Sequence, residues 1–131
     1  MGVTYSLLRS VTYIILTSAV LFVGYAEPSI NIFTTWNILP IVVALIILHY
    51  TDRAVDSSLP KQLGIYGFVF FTGGVVVIAH LAWLLDWGKT ATGSSTSALI
   101  FVTLPILALL SGCIGWFVGW CIGLILNRHA N

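Results

Sequence analysis

Few side chains in this sequence are equipped for chemistry, and His80 is the most prominent. It stands in VVVIAHLAWLLDW, an apolar run interrupted only by the histidine itself and by Asp86. Steps of seven residues put Tyr66, Gly73, His80 and Trp87 near one helical stripe, with Trp83 beside it three residues on. An ionisable ring at membrane depth is costly and faces protein or water. It serves as a neutral partner in one interhelical hydrogen bond, or as a proton relay or ligand contact. Asn37 is the second candidate, three residues before Pro40. Pro40 has no N–H for the carbonyl of Trp36, so the helix should bend there, and Pro105 acts likewise on the carbonyl of Phe101. Bent helices with freed carbonyls build binding sites in transporters. His80, Asn37, Trp83 and Trp87 are therefore the candidate ligand or proton site.

Other chemistries find little support. HExxH, CxxC, GxSxG and P-loop patterns are absent, and the serines and threonines have no base nearby in sequence. His49 and His80 fall at different depths, too far apart along the membrane normal for one haem. Cys113 and Cys121 lie about 12 Å apart along one helix, beyond disulfide reach, and read as small packing residues. Asp86 and Lys89 read as a local ion pair. No Asp, Glu, Lys or Arg is expected at the membrane centre. Neither enzymatic activity nor a metal or cofactor is expected.

The scaffold for these residues follows from composition. Of 131 residues, 59% are apolar and 7% charged, too few charges to cover a water-soluble globule. The net charge of +1 gives no electrostatic footprint for nucleic acid. Four apolar segments occur, at about 7–26, 30–50, 63–87 and 98–126. Each has the ~20 residues needed to span hydrocarbon, where only a helix satisfies its own backbone. The expected fold is all-α, one integral membrane four-helix bundle forming a single domain. Glu27-Pro28-Ser29 makes a connection so short that helices 1 and 2 must be antiparallel neighbours. Residues 51–62 form a charged loop, and the Gly/Ser/Thr-rich residues 88–97 read as a flexible one. Arg9, Arg53, Lys61 and Arg128 fall on one side and Lys89 on the other. That bias places both termini and the 51–62 loop in the cytoplasm, for a chain expected in a bacterial inner membrane. Gly24-Tyr25-Ala26 also fits a signal-peptidase site, whose use would leave three helices.

The last segment has a pattern of its own. Ser111, Gly115, Gly119 and Gly123 follow one another at four-residue steps, flanked by a row with Trp116 and Trp120 and by an aliphatic row with Val118 and Ile122. Overlapping small-xxx-small steps let helix backbones approach closely. The row packs against a helix of the same chain, a second copy, or a partner's helix. With so little other chemistry, the leading functional expectation is an assembly, accessory or interaction subunit. It would associate through helix 4 with a second copy or a membrane protein partner, amid membrane lipid. The alternative is a small channel or transporter with its path near His80, Asn37 and the Pro40 and Pro105 bends.

Overall fold

The computed structural model describes residues 2–27, 32–52, 58–93 and 97–129. It contains four long helices, α1 (Gly2–Ala26), α2 (Ile32–Asp52), α3 (Leu59–Leu84) and α4 (Ile100–His129). Each is long and apolar enough to cross a membrane. At 30 residues, α4 is roughly 45 Å long and exceeds the hydrocarbon layer. The prolines Pro40 and Pro105 lie inside α2 and α4 and are fully buried. Residues 53–57 of the charged 51–62 connection lie outside the described residues. Its last part is already helical, because Pro60 sits in the first turn of α3, where a missing N–H leaves no bond unmade.

The third helix ends earlier than the apolar run predicts. Asp86 takes a left-handed conformation (φ 47°), as do Gly88 and Lys89, so α3 stops at Leu84 and Trp87 begins a short 3₁₀ turn. An aspartate tolerates this conformation because its short side chain bonds locally. Here the Asp86 carboxylate accepts the backbone N–H groups of Ala91 (2.8 Å) and Thr92 (3.1 Å), and the Thr92 hydroxyl. The expected Asp86–Lys89 pairing is thus replaced by a ring of donors from the loop. The Thr90 hydroxyl lies 2.8 Å from the Ala82 carbonyl, pinning the turn back onto α3. Residues 88–93 accordingly form a hydrogen-bonded turn, while 94–96 lie outside the described residues.

One buried line runs along each helix. It comprises Leu16, Ala19 and Val23 on α1, and Thr34, Asn37, Ile41, Ala44 and Leu48 on α2. On α3 it is Ile65, Val69, Thr72, Val76 and His80; on α4 it begins with Leu104 and Ala108. Steps of three and four keep each line on one face. Residues off these lines, such as Ile14, Leu21, Ile114 and Ile125, are more than half exposed and form an apolar outer surface. On its own face α1 packs against α2 and α3, leaving a groove of about 680 Å³ between α1 and α3 beside Leu8, Ile15, Phe22, Phe70 and Gly74.

On α4 the line continues as glycine. A Cβ on Gly115 would strike the Gly67 carbonyl oxygen and lie 2.8 Å from the Phe71 Cβ; one on Gly119 would strike the Leu63 carbonyl. At Gly123 it would strike Pro60, and at Gly112 the Thr72 hydroxyl and the Phe68 ring. As α4 advances from Gly112 to Gly123, the touching residues of α3 retreat from Thr72 to Pro60, so the two helices are antiparallel. The close line is therefore Gly112, Gly115, Gly119, Gly123. Gly112 stands four residues before Trp116, in the row beside the small one, whereas Ser111 is only half-buried. Trp116 leans over Gly64 of α3 and stacks on Trp120, with ring centroids 6.1 Å apart.

Two outcomes follow from this packing. Gly115→Ala and Gly119→Ala should each lower unfolding stability in detergent by about 1–3 kcal/mol through overpacking. Gly24→Ala and Gly74→Ala, where a Cβ meets nothing within 4 Å, should raise it by about 0.5–1 kcal/mol. Equal effects at all four positions would contradict the seam. The Thr92 hydroxyl, then the Ala91 amide, hold the Asp86 carboxyl below the usual carboxylate range. A depressed folded value means that the order this group adds to the turn is complete above the ordinary carboxylate pKa and disappears as pH falls through the lowered one. Hydrogen exchange at the Ala91 and Thr92 amides should accelerate, relative to neighbouring amides, only below that range, and in Asp86→Ala the extra step should be absent.

Candidate functional site

Three buried lines, followed towards the end of the bundle that bears the Asp86 turn, finish on polar side chains. On α3 the last member is His80, four residues before the helix ends. On α2 the apolar members give way to Asn37, five residues after the start. One step of four beyond Val23 on α1 is Glu27, whose amide still donates to the Val23 carbonyl at 2.9 Å. Helix direction brings these three to a common level, with His80 and Asn37 about one to two turns inside their helix ends and Glu27 just beyond the end of α1. Phe101, three residues before Leu104 on α4, closes the fourth side.

The contacts are specific. Asn37 Nδ2 donates to Glu27 Oε1 at 2.8 Å. His80 Nε2 lies 3.1 Å from the same oxygen, and His80 Nδ1 lies 2.8 Å from the Val76 carbonyl. His80 and Asn37 are sealed from solvent, at 1% and 0% exposure, whereas the Glu27 side chain keeps 19%. The Phe101 ring lies against His80 (centroids 5.0 Å) and Trp83 lies edge-on to Phe101 (5.1 Å). Trp36, next to Asn37, donates its indole N–H to the Val102 carbonyl at 2.9 Å, tying α2 to α4 beside Pro105.

These bonds fix a proton count. A carbonyl oxygen only accepts, so Nδ1 of His80 carries a hydrogen and donates it to Val76. The contact between Nε2 and Glu27 then needs a second proton, because a bare imidazole nitrogen and a bare carboxylate oxygen both only accept. That proton lies either on Nε2, facing a carboxylate, or on Glu27, facing a neutral ring. In both forms the pair is neutral as a whole and holds one transferable proton between two named atoms.

Among the sequence candidates, His80 and Asn37 are brought together through Glu27, and Trp83 reaches the group through Phe101. Trp87 does not take part; it lies beyond the end of α3 and is 70% exposed. His80 sits four residues before the end of α3, nearer that end than the apolar run from Leu63 to Trp87 suggests. Glu27 and Phe101 had not been selected. In sequence Glu27 belongs to a short turn, yet its place four residues beyond Val23 continues the buried line and is the signal that identifies it. Ser111, Gly115, Gly119 and Gly123 belong to the other half of the bundle, where the last three meet α3. Among the described residues no three His, Cys, Asp or Glu side chains converge as a metal-binding group.

Glu27→Gln can meet both partners with its two amide atoms, the oxygen accepting from Asn37 and the NH2 turned to donate to a neutral His80, whereas Glu27→Ala leaves both without a partner. The first should change stability by less than about 1 kcal/mol and the second lower it by about 1–3 kcal/mol. Nitrogen NMR of ¹⁵N-labelled histidine should show a hydrogen-bonded proton at Nε2 of His80 that exchanges with Glu27. In Glu27→Gln, Nε2 should be a bare acceptor. A bare Nε2 distant from any carboxyl proton in the parent protein would overturn the proton count. Comparison with protein-family models, characterised proteins and solved structures gives no match, so the reading of this site rests on its own geometry.

Proposed function

We propose that the chain is a small proton-linked membrane carrier, with Glu27 and His80 holding the transferred proton and Asn37 orienting the carboxylate. The observation that carries this reading is the neutral Glu27–His80 pair, buried on the histidine side and partly open on the glutamate side. An ionisable residue buried within a membrane-spanning helix, as His80 is in α3, is costly and pairs with a partner along a substrate or proton pathway. Towards the termini the cluster is followed by Val23, Ile41 and Val76, all fully buried and apolar. No standing water path is formed by these residues. Passage to the opposite face therefore requires the helices to move, which favours a carrier over a channel. Pro40 and Pro105 supply bends in α2 and α4 beside the cluster. In this reading the protein belongs in a bacterial inner membrane with both termini in the cytoplasm, and Glu27 faces the outer side.

A second reading retains the role of assembly or accessory subunit. The glycine face of α4 is occupied by α3, so its partner would have to use another surface. The open groove between α1 and α3 favours this version, since Gly74 lines it with nothing within 4 Å of a Cβ.

Purified protein reconstituted in liposomes should carry protons down a gradient, read with an enclosed pH-sensitive dye and a potassium–valinomycin clamp. The rate should saturate and should fall by about tenfold or more in Glu27→Gln, which keeps the bonds but loses the transferable proton. Flux equal to that of empty vesicles, or full flux in Glu27→Gln, would remove the carrier reading.

A further inference from the structure

The partners still missing at the cluster are of one kind. Asn37 Oδ1 is buried and has no hydrogen-bond partner. Glu27 Oε1 serves both Asn37 and His80, while Oε2 meets no donor among the described residues. The carbonyls deprived of a helical N–H by Pro40 and Pro105 belong to Trp36, next to Asn37, and to Phe101, whose ring lies on His80. Oxygen acceptors in excess, beside a carboxylate, suit a donor-bearing cation and repel an anion.

Charge narrows the class further. The Glu27–His80 pair is neutral with its proton in place. A cation added to it would be a buried excess charge, which is strongly unfavourable. If the shared proton departs, the incoming cation neutralises Glu27 and the balance is restored. His80 then keeps its Nδ1–H on Val76, and its Nε2 becomes a third acceptor. Three acceptors, Glu27, Asn37 Oδ1 and His80 Nε2, match the three N–H donors of a primary ammonium group. The rings of Phe101 and Trp83 add apolar and π-surface for the carbon attached to it. Among the described residues, α2 contributes Asn37 to this cluster and α4 contributes Phe101, and the Asp86 carboxylate is turned to Ala91 and Thr92.

We propose that Glu27, Asn37 and His80 form a binding site for a small primary ammonium ion, which enters past the partly exposed Glu27 in exchange for the proton shared with His80. The N–H or O–H bond that holds the shared proton breaks and the proton passes to water as one ammonium ion enters; no other covalent bond changes. Glu27 follows the last residue of α1, so its side chain can swing away from His80 to admit the ligand. The proposal rests on the carrier reading for its biological purpose, but the site is tested without transport.

Methylammonium is the probe, added to the purified full chain in detergent at neutral pH. Calorimetry and a pH indicator in weak buffer record binding and proton release together. Saturable binding with one proton released per cation is expected. So is loss of the Nε2 proton signal of His80. Tetramethylammonium, which has the charge but no N–H donor, and sodium should release about tenfold less at equal concentration. Glu27→Gln should weaken methylammonium binding by about tenfold or more. Absent saturable binding, or equal release by tetramethylammonium or sodium, overturns the proposal, and neither control depends on a variant folding. Methylammonium binding without proton flux in liposomes would support the site and remove the carrier. Flux without methylammonium binding would do the reverse.

Discussion

The arrangement depends first on a contact between backbones, where α4 crosses α3 at Gly112, Gly115, Gly119 and Gly123. Side chains cannot be driven together by exclusion from water once they are surrounded by hydrocarbon. What remains is close packing and the polar contact it permits. At this seam α4 offers hydrogen atoms where any Cβ would collide with the Gly67 and Leu63 carbonyls. The crossing therefore has little freedom to slide, and the antiparallel register of α3 and α4 is set along much of their length. One consequence is felt at the opposite end of the bundle. With the register held, Phe101 lies against His80 and the Val102 carbonyl reaches Trp36.

The two halves of the bundle solve different problems. Around the seam the backbone groups are satisfied within helices and the gaps are filled by small residues and a tryptophan stack. Beyond Val23, Ile41 and Val76 the same buried faces carry hydrogen-bonding groups that no lipid can satisfy. They must meet one another, and they do so at one atom, Glu27 Oε1. The prolines sit in the half where helices α2 and α4 approach this cluster. The polar end thus carries the bends, and the apolar seam fixes the register of the helices that reach it.

Four long apolar helices and their approximate limits were legible because twenty-residue hydrophobic runs have few other uses. The end of α3 was not, since a residue-by-residue hydropathy reading runs on through Leu85 and Trp87. What stops the helix is the left-handed turn at Asp86, stabilised by donors from Ala91 and Thr92 that follow it in sequence. His80 and Asn37 stood out as polar residues in apolar runs. Glu27 did not, because a charge beside Pro28 resembles an exposed turn. Only when the helices are set side by side does its step of four from Val23 become informative. Gly112 was hidden for a related reason: a strict four-residue row drifts around the helix, and a step of three brings the seam back towards α3.

A structural clasp would need less than this cluster provides. Neutral amides or hydroxyls could join α1, α2 and α3 without an ionisable pair, and burying such a pair brings a desolvation cost that its attraction often fails to exceed. The clasp is also incomplete, since Asn37 Oδ1 is sealed in without a donor. Buried groups left unsatisfied in native proteins call for a specific reason, and a missing ligand is one. The opening at Glu27 agrees with that reason: the component nearest the surface is the one whose charge a ligand or proton must change. His80 and Asn37 are held at 1% and 0% exposure and are oriented by the Val76 carbonyl and by Glu27 itself. A tie that only holds helices together gains nothing from this gradient from partly exposed acid to sealed base, whereas the proposed loading and unloading of a proton would use it.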